Sequence, residues 1–252
     1  MNVPRQEEEA WIYGIHAVAS VLERRRLELE GLWISGDSRN PRLEALAEQA
    51  RRQGVPVHLR PAEWFEERLP GTRHQGVVAR ARPVPVGGES ELLALVEALE
   101  VPPFLLVLDG VQDPHNLGAC LRTADGAGIH AVVTPRDRAA GITPTVRKVA
   151  SGAAESVPFF QVTNLARSLG RLQEAGVWLV GMDGDAPRTL YEQDLSGPLA
   201  LVLGAEGRGL RRLTRERCDH LVRLPMFGSV SSLNVSVAAG IAMYEALRQR
   251  MG

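Results

Sequence analysis

Lysine is almost missing from this chain. Lys148 is the only one in 252 residues, so the 29 basic side chains are nearly all arginine, and 30 acidic ones bring the net charge to −1. That balance excludes a protein that coats nucleic acid by bulk charge. Cysteine is as scarce. Cys120 and Cys218 have no metal-ligand spacing and read as small core residues, and six scattered histidines give no zinc pattern, so no metal is expected. No apolar run approaches the roughly 20 residues of a membrane span, and no membrane partner is expected. The start, Met1 to Glu9, is charged and acidic rather than signal-like, which places the chain in the cytoplasm.

What is present is α/β alternation. Hydrophobic content of 44% against 23% charged is that of a globular protein, and the length suits two domains better than one. Trp11 to Arg24 reads as a helix with Ile15, Val18 and Leu22 on one face. A strand at Leu32–Ser35, a helix from Arg42 to Gln53, a strand from Val55 to Leu59, a short helix from Ala62 to Leu69 and a strand within Gly71–Ala79 complete a small α/β layer domain over residues 1–81. Residues 82–90, rich in proline and glycine, read as a linker.

From residue 91 to 252, nearly continuous apolar strands are predicted at Phe104–Leu108, Ala131–Thr134, Val177–Gly181, Leu199–Leu203 and Leu221–Leu224. Helices are predicted near 116–127, 145–152, 163–175, 210–218 and 232–250. Strands apolar on both faces imply a mostly parallel sheet covered by helices, in which ligands bind outside the carboxyl ends of the strands.

Three motifs stand at such ends. Asp113-Pro-His-Asn116 opens a helix that carries Arg122 about one and two-thirds turns further on, where an arginine reaches either an anionic group or plain solvent. Val202-Leu-Gly204-Ala-Glu206-Gly-Arg-Gly lets backbone N–H groups approach a ligand and sets a carboxylate in a glycine turn. There it fixes an arginine, accepts from a substrate hydroxyl, or caps the next helix. The glycine order is neither a dinucleotide fingerprint nor a phosphate loop, which argues against a nicotinamide oxidoreductase.

The third motif runs from Arg223-Leu224-Pro-Met226 through Gly228 and three serines into a terminal helix that begins near Ser231 or Ser232. Leu233, Val237, Ile241 and Tyr244 give it an apolar face. Ser236, Ala238, Ala239 and Gly240 give it a small-residue surface for close backbone approach. Arginines crowd the same neighbourhoods: Arg208, Arg211, Arg212, Arg215, Arg217 and Arg223 in one group, and Arg136, Arg138 and Arg147 with Lys148 in another. They form a phosphate-binding surface or simply reflect arginine-rich composition.

These motifs, in this order, resemble those of the SpoU (TrmH) family of S-adenosylmethionine-dependent RNA ribose 2′-O-methyltransferases. The resemblance extends through Val149-Ala-Ser-Gly-Ala-Ala-Glu-Ser-Val-Pro, Tyr13-Gly-Ile-His-Ala-Val and Arg73-His-Gln-Gly-Val-Val-Ala, and so covers almost the whole chain. It implies a C-terminal α/β domain of SPOUT type with a deep trefoil knot, an N-terminal ribosomal-protein-type RNA-binding domain, and a homodimer. The implied reaction is methylation of a guanosine ribose in 23S ribosomal RNA, naked or in an assembling large subunit. A tRNA methyltransferase of the same family and a non-catalytic RNA-binding protein are the alternatives.

Carried onto this sequence, the resemblance implies Gly204, Glu206, Leu224, Met226, Ser232 and Leu233 at the S-adenosylmethionine cofactor. It implies Asn116, Arg122, Glu206, Ser231 and Asn234 as the catalytic set, with Glu206 expected to hold the Arg122 guanidinium in a bidentate pair. The acidic run Glu7–Glu9 and the strand end Met182-Asp183 match no family role and are expected to touch no motif.

Overall fold

The computed structural model describes residues 10–24, 29–38, 40–81 and 86–252. It divides into two units, residues 1–85 and 86–252; the acidic run Glu7–Glu9 lies outside the described residues. In the first unit, β1 (Ala10–Tyr13), β2 (Leu29–Ser35), β3 (Val57–Arg60) and β4 (Val77–Ala81) form one sheet in the order β1-β4-β2-β3. Helices α1 (Ile15–Arg24), α2 (Pro41–Arg52) and α3 (Ala62–Arg68) connect them in turn. Alternate strand residues Leu32, Ile34, Val77 and Ala79 meet Val18 and Leu22 of α1 and Leu43, Leu46 and Ala50 of α2 in one buried core. Trp11–Tyr13, expected inside a helix, are a strand instead. Ile12 is buried between two β-favouring aromatics, and the chain turns at Gly14 (φ +91°) before α1 begins.

Residues 86–90, expected in the linker, belong to the second unit. Gly87 bridges to Phe160, and α4 (Glu89–Glu97) starts directly after. A Cβ at Gly87 would stand 2.5 Å from the Phe160 ring, so this glycine serves close packing rather than a loose connection.

The second unit is a seven-stranded sheet in the order β7-β6-β5-β10-β8-β11-β9 with every neighbouring pair parallel. Its strands are β5 (Phe104–Asp109), β6 (Ala131–Pro135), β7 (Phe159–Val162), β8 (Trp178–Met182), β9 (Arg188–Thr189), β10 (Leu199–Gly204) and β11 (His220–Arg223). Helices α5 (Pro114–Ala127), α6 (Pro144–Ala150), α7 (Ala153–Ser156), α8 (Leu165–Glu174), α9 (Arg212–Arg217) and α10 (Val235–Met251) complete it.

All residues of β5 and β6 are buried because both sheet faces are covered. Leu106, Leu108, Leu201 and Leu203 meet α5, α6 and α10 through Leu117, Leu121, Val146, Ala239 and Met243. Their strand neighbours Leu105, Val107, Ala200 and Val202 meet α4 and α8 on the other face through Leu92, Val96, Leu169 and Leu172. This two-sided burial is why the strands read as continuous apolar runs. Cys120 and Cys218 are free thiols within these layers, each pushed up to about 12 chiefly by burial.

Two expectations about the last helix are overturned. Regular helix begins at Val235, with Asn234 rather than Ser231 or Ser232 as its cap. Its buried face is Val235, Ala239, Ala242, Met243 and Ala246, whereas Val237 and Tyr244 are about half exposed. The small residues Ala239, Ala242 and Ala246 form most of the buried stripe, with Met243, because the helix lies close against α5, and Val237 and Tyr244 are left outside. Gly240 is not forced by packing either. A Cβ there would meet only the Thr123 methyl at 3.6 Å, an ordinary contact. The tight approach is at Gly118 of α5, where a Cβ would lie 2.7 Å from Val149 of α6.

Candidate active site

The strand order positions the site. The chain lays β5, β6 and β7 side by side in one direction and then crosses to place β8 to β11 on the other side of β5, in the order β10-β8-β11-β9, so the sheet has a topological switch at the β5–β10 pair. Beside it, at the carboxyl ends of β8, β10 and β11, is a cavity of about 600 Å³. That is within the roughly 300–1,000 Å³ of ordinary small-molecule sites. Leu203–Gly207 and Gly209 line it from β10, Arg223, Leu224 and Met226 from β11, and Ser231–Val235 with Ala238 from the approach to α10. All of Gly204, Glu206, Leu224, Met226, Ser232 and Leu233 therefore face one space.

Gly204 is the position that admits no other residue. The loop after it folds back, with the Gly209 N–H donating to the Ala205 carbonyl at 2.9 Å, and a Cβ on Gly204 would overlap the backbone of Gly209 and Leu210. The loop is also held from below. Asp109, at the end of β5 with its side chain wholly buried, accepts from the Arg211 N–H at 2.9 Å and faces the Arg211 guanidinium at 2.7 Å. The motifs carrying Asn116 and Glu206 are thus tied together by a buried charge as well as by the sheet.

At one side of the cavity three polar side chains from the three motifs meet. Asp113 caps α5 by accepting from the His115 N–H, which sets Asn116 in the first turn, 7% exposed. The Asn116 amide donates to Glu206 Oε1 at 2.9 Å. The Asn234 amide donates to the same oxygen at 2.8 Å and to Asn116 Oδ1 at 2.9 Å. Asn234 Oδ1 meanwhile accepts from the N–H and hydroxyl of Ser236, so one side chain both caps α10 and holds the carboxylate. Each amide is oriented by its donors and acceptors together. Glu206 Oε1 takes both bonds, and Oε2 takes none among the described residues.

Arg122 is not part of this cluster. It is exposed and makes no hydrogen bond or ion pair among the described residues, so the expected Arg122–Glu206 pair does not form within one chain. The helix explains this: six residues past Asn116 the chain has turned about 120° short of two full revolutions, which puts Arg122 on a different face. Ser231 lines the cavity but takes no part in the three-residue cluster.

Met182, Asp183 and Gly184 line the same cavity, contrary to the expectation that this strand end touches no motif. The available signal was positional, since they leave the carboxyl end of β8, the strand beside β10. Burial pushes the Asp183 carboxyl up, but the Arg215 hydrogen bond at 2.5 Å, the Asp185 N–H and the Arg215 charge outweigh it and hold the group below its ordinary value. The arginine groups are partly consumed in the same way: Arg211 pairs with Asp109, Arg212 with Glu216, Arg215 with Asp183 and Arg147 with Glu155. Among the described residues, no group of three His, Cys, Asp or Glu is placed to hold a metal, and no helix is long and apolar enough to cross a membrane.

A parallel sheet with its cavity at the strand ends and an oriented carboxylate at the edge defines an α/β protein of the ligand-at-the-switch-point class. The chain belongs to the SpoU rRNA methylase family, whose model matches residues 103–244, while a model for RNA 2′-O ribose methyltransferase substrate binding matches residues 11–86. It is 54% identical over 239 residues to the 23S rRNA (guanosine-2′-O-)-methyltransferase RlmB of Pseudomonas putida, covering 95% of this chain and 96% of that one. The protein of the same name from Escherichia coli is 53% identical, covering 95% and 98%. The SpoU methyltransferase AviRb from Streptomyces viridochromogenes, solved with its cofactor AdoMet, shares the fold with a TM-score of 0.75 at 23% identity, covering 96% of this chain and 91% of that one.

Proposed function

We propose that this protein transfers a methyl group from S-adenosylmethionine to the 2′-oxygen of a guanosine ribose in 23S ribosomal RNA, in the cytoplasm. The observation that carries the reading is the convergence of the Asn116 and Asn234 amides, from two distant motifs, on one carboxylate oxygen of Glu206, from a third, beside a cofactor-sized cavity. Near-full-length identity to the Pseudomonas putida enzyme supports the substrate. The residues fit the cofactor: Gly204 lets the following loop fold back over the strand end, Leu224, Leu233 and Met226 offer apolar surface, and that loop offers backbone polar groups. Bound there, S-adenosylmethionine supplies an already activated methyl group. The chain itself has to align the ribose and manage one proton. Glu206, fixed through Oε1, presents Oε2 to accept from the 2′-hydroxyl. Ser231 and Ser232 border the same space as donors. The N-terminal unit is the RNA-recognition module, and the second unit carries the trefoil knot. Loss of a 23S ribose methylation on gene deletion, mapped by mass spectrometry and restored by the wild-type gene but not by Glu206→Gln, is the expected result. An unchanged methylation map would reject the substrate assignment.

The working form is a homodimer. Val237 and Tyr244 stand half exposed along α10, an apolar stripe suited to a second copy, and Tyr244 lies beside Gly126 of α5, the helix that carries Arg122. Arg122 then serves the partner's site rather than its own. Arginine stays protonated, so its part is to clamp a phosphate or stabilise the developing alkoxide. Mixing Arg122→Ala with Glu206→Ala, each inactive alone, rebuilds one complete site in each mixed dimer and returns about a quarter of wild-type turnover after subunit exchange. No recovery would mean that both residues act within one chain.

A further inference from the structure

We propose that Phe227 is a substrate-recognition residue that stacks on the base of the nucleotide whose ribose enters the cavity; the inference rests on the RNA-methylation reading above. Phe227 is 97% exposed, so its ring is almost bare within its own chain. Leaving a phenylalanine in water forgoes the stabilisation that burial gives, and hydrophobic packing of this chain does not account for it. Its place in the chain does. Met226 immediately before it lines the cavity, and so do Ser231, Ser232 and Leu233 just after it, so the ring rides on the rim of the site. Val230, 58% exposed, continues this apolar rim.

The glycine loop after β10 carries the complementary chemistry. Arg208 lies between the cavity-lining Gly207 and Gly209, is exposed, and forms no ion pair among the described residues. Two loops that line the cavity thus carry a bare aromatic ring and a free guanidinium. An unpaired nucleotide presents a π-face and a phosphate, and single-stranded RNA is recognised through such stacking and charge contacts. A second copy of this chain is the less suited occupant, because the half-exposed stripe of α10 already supplies a separate apolar surface and a bare aromatic beside a free cation matches a nucleotide better than an apolar seam.

The test is single-turnover methylation of a 23S ribosomal RNA transcript at saturating S-adenosylmethionine by the full chain and its variants. Sedimentation and calorimetric titration of S-adenosylmethionine accompany each. Phe227→Ala is expected to lower the rate at limiting RNA by about tenfold, the scale of losing one base–aromatic stack. Phe227→Trp should keep the rate, and Phe227→Leu should not restore it. Cofactor affinity and sedimenting mass should not change. Three results would overturn the proposal: full activity in Phe227→Ala, rescue by Phe227→Leu, or a smaller sedimenting mass in Phe227→Ala, which would make the ring a contact between copies. A wild-type chain that binds S-adenosylmethionine yet methylates no RNA would remove the underlying reading and the proposal with it.

Discussion

Glu155 and Glu206 are both carboxylates in the second unit, both come from stretches that resemble the family, and their surroundings are opposite. Glu155, in α7, is 8% exposed and ion-paired to Arg147 of the adjoining α6. Glu206 is exposed at a cavity, held by two neutral amides and left with one open oxygen. A buried carboxylate paired with a guanidinium is satisfied and has nothing to offer a ligand. One oriented by neutral donors keeps its charge and a free lone-pair direction, at little cost in desolvation because water still reaches it. Family resemblance alone does not separate these two roles, but burial and partner type do.

The largest effect is expected from Glu155→Ala. It strands the Arg147 guanidinium, 27% exposed, and should lower unfolding stability by about 3 kcal/mol in denaturant melts. A loss below about 1 kcal/mol would place Glu155 among ordinary surface ion pairs and erase the contrast. Its pH response sharpens the point. Burial raises the Glu155 carboxyl above its ordinary value, against the pull of the Arg147 charge and hydrogen bond. A folded state that holds a proton more tightly is favoured below the ordinary carboxylate range, and the advantage is lost as pH climbs through the raised value. Stability relative to Glu155→Gln should therefore decline as pH rises from the ordinary carboxylate range through the raised value. A rise over that window would contradict the assignment.

Glu206→Gln should do the reverse, cutting single-turnover methylation by about a hundredfold while leaving the melt nearly unchanged. Asn234→Ala lies between the two, because it removes a helix cap and a carboxylate donor together. About 1 kcal/mol of stability and about tenfold in turnover should go with it, measured on one preparation. The smallest effect is expected where neither carboxylate is touched: Gly240→Ala should stabilise by about 0.5–1 kcal/mol and leave turnover alone, since a Cβ there finds ordinary space.

Much of this is legible in the sequence. The apolar runs at Phe104–Leu108 and Leu199–Leu203 became central strands with both faces covered, and the residues resembling the cofactor set came to line one cavity. What escaped depends on tertiary geometry. Phe159–Val162 was too short and too close to Pro158 to be recognised as a strand. Trp11–Tyr13 joined a helical pattern whose true start is Ile15. The exposed stripe on α10 looked like a buried face because periodicity shows that residues share a side, not which side is covered. Their implied roles pair Arg122 with Glu206, and helix phase separates them. Asp183 entered the site only because β10 lies between β5 and β8, an order that no local pattern encodes.

The central claim is that the strand-end cavity is where S-adenosylmethionine binds, and filling that cavity tests it most directly. Leu233 lines it from the loop before α10 and is only partly buried, so Leu233→Trp puts bulk into the cavity without entering the core. Calorimetric titration of S-adenosylmethionine into wild type and Leu233→Trp, with matched melts as the folding control, should show binding to the first and no detectable heat from the second. Wild-type affinity in a folded Leu233→Trp would place the cofactor elsewhere and contradict the account.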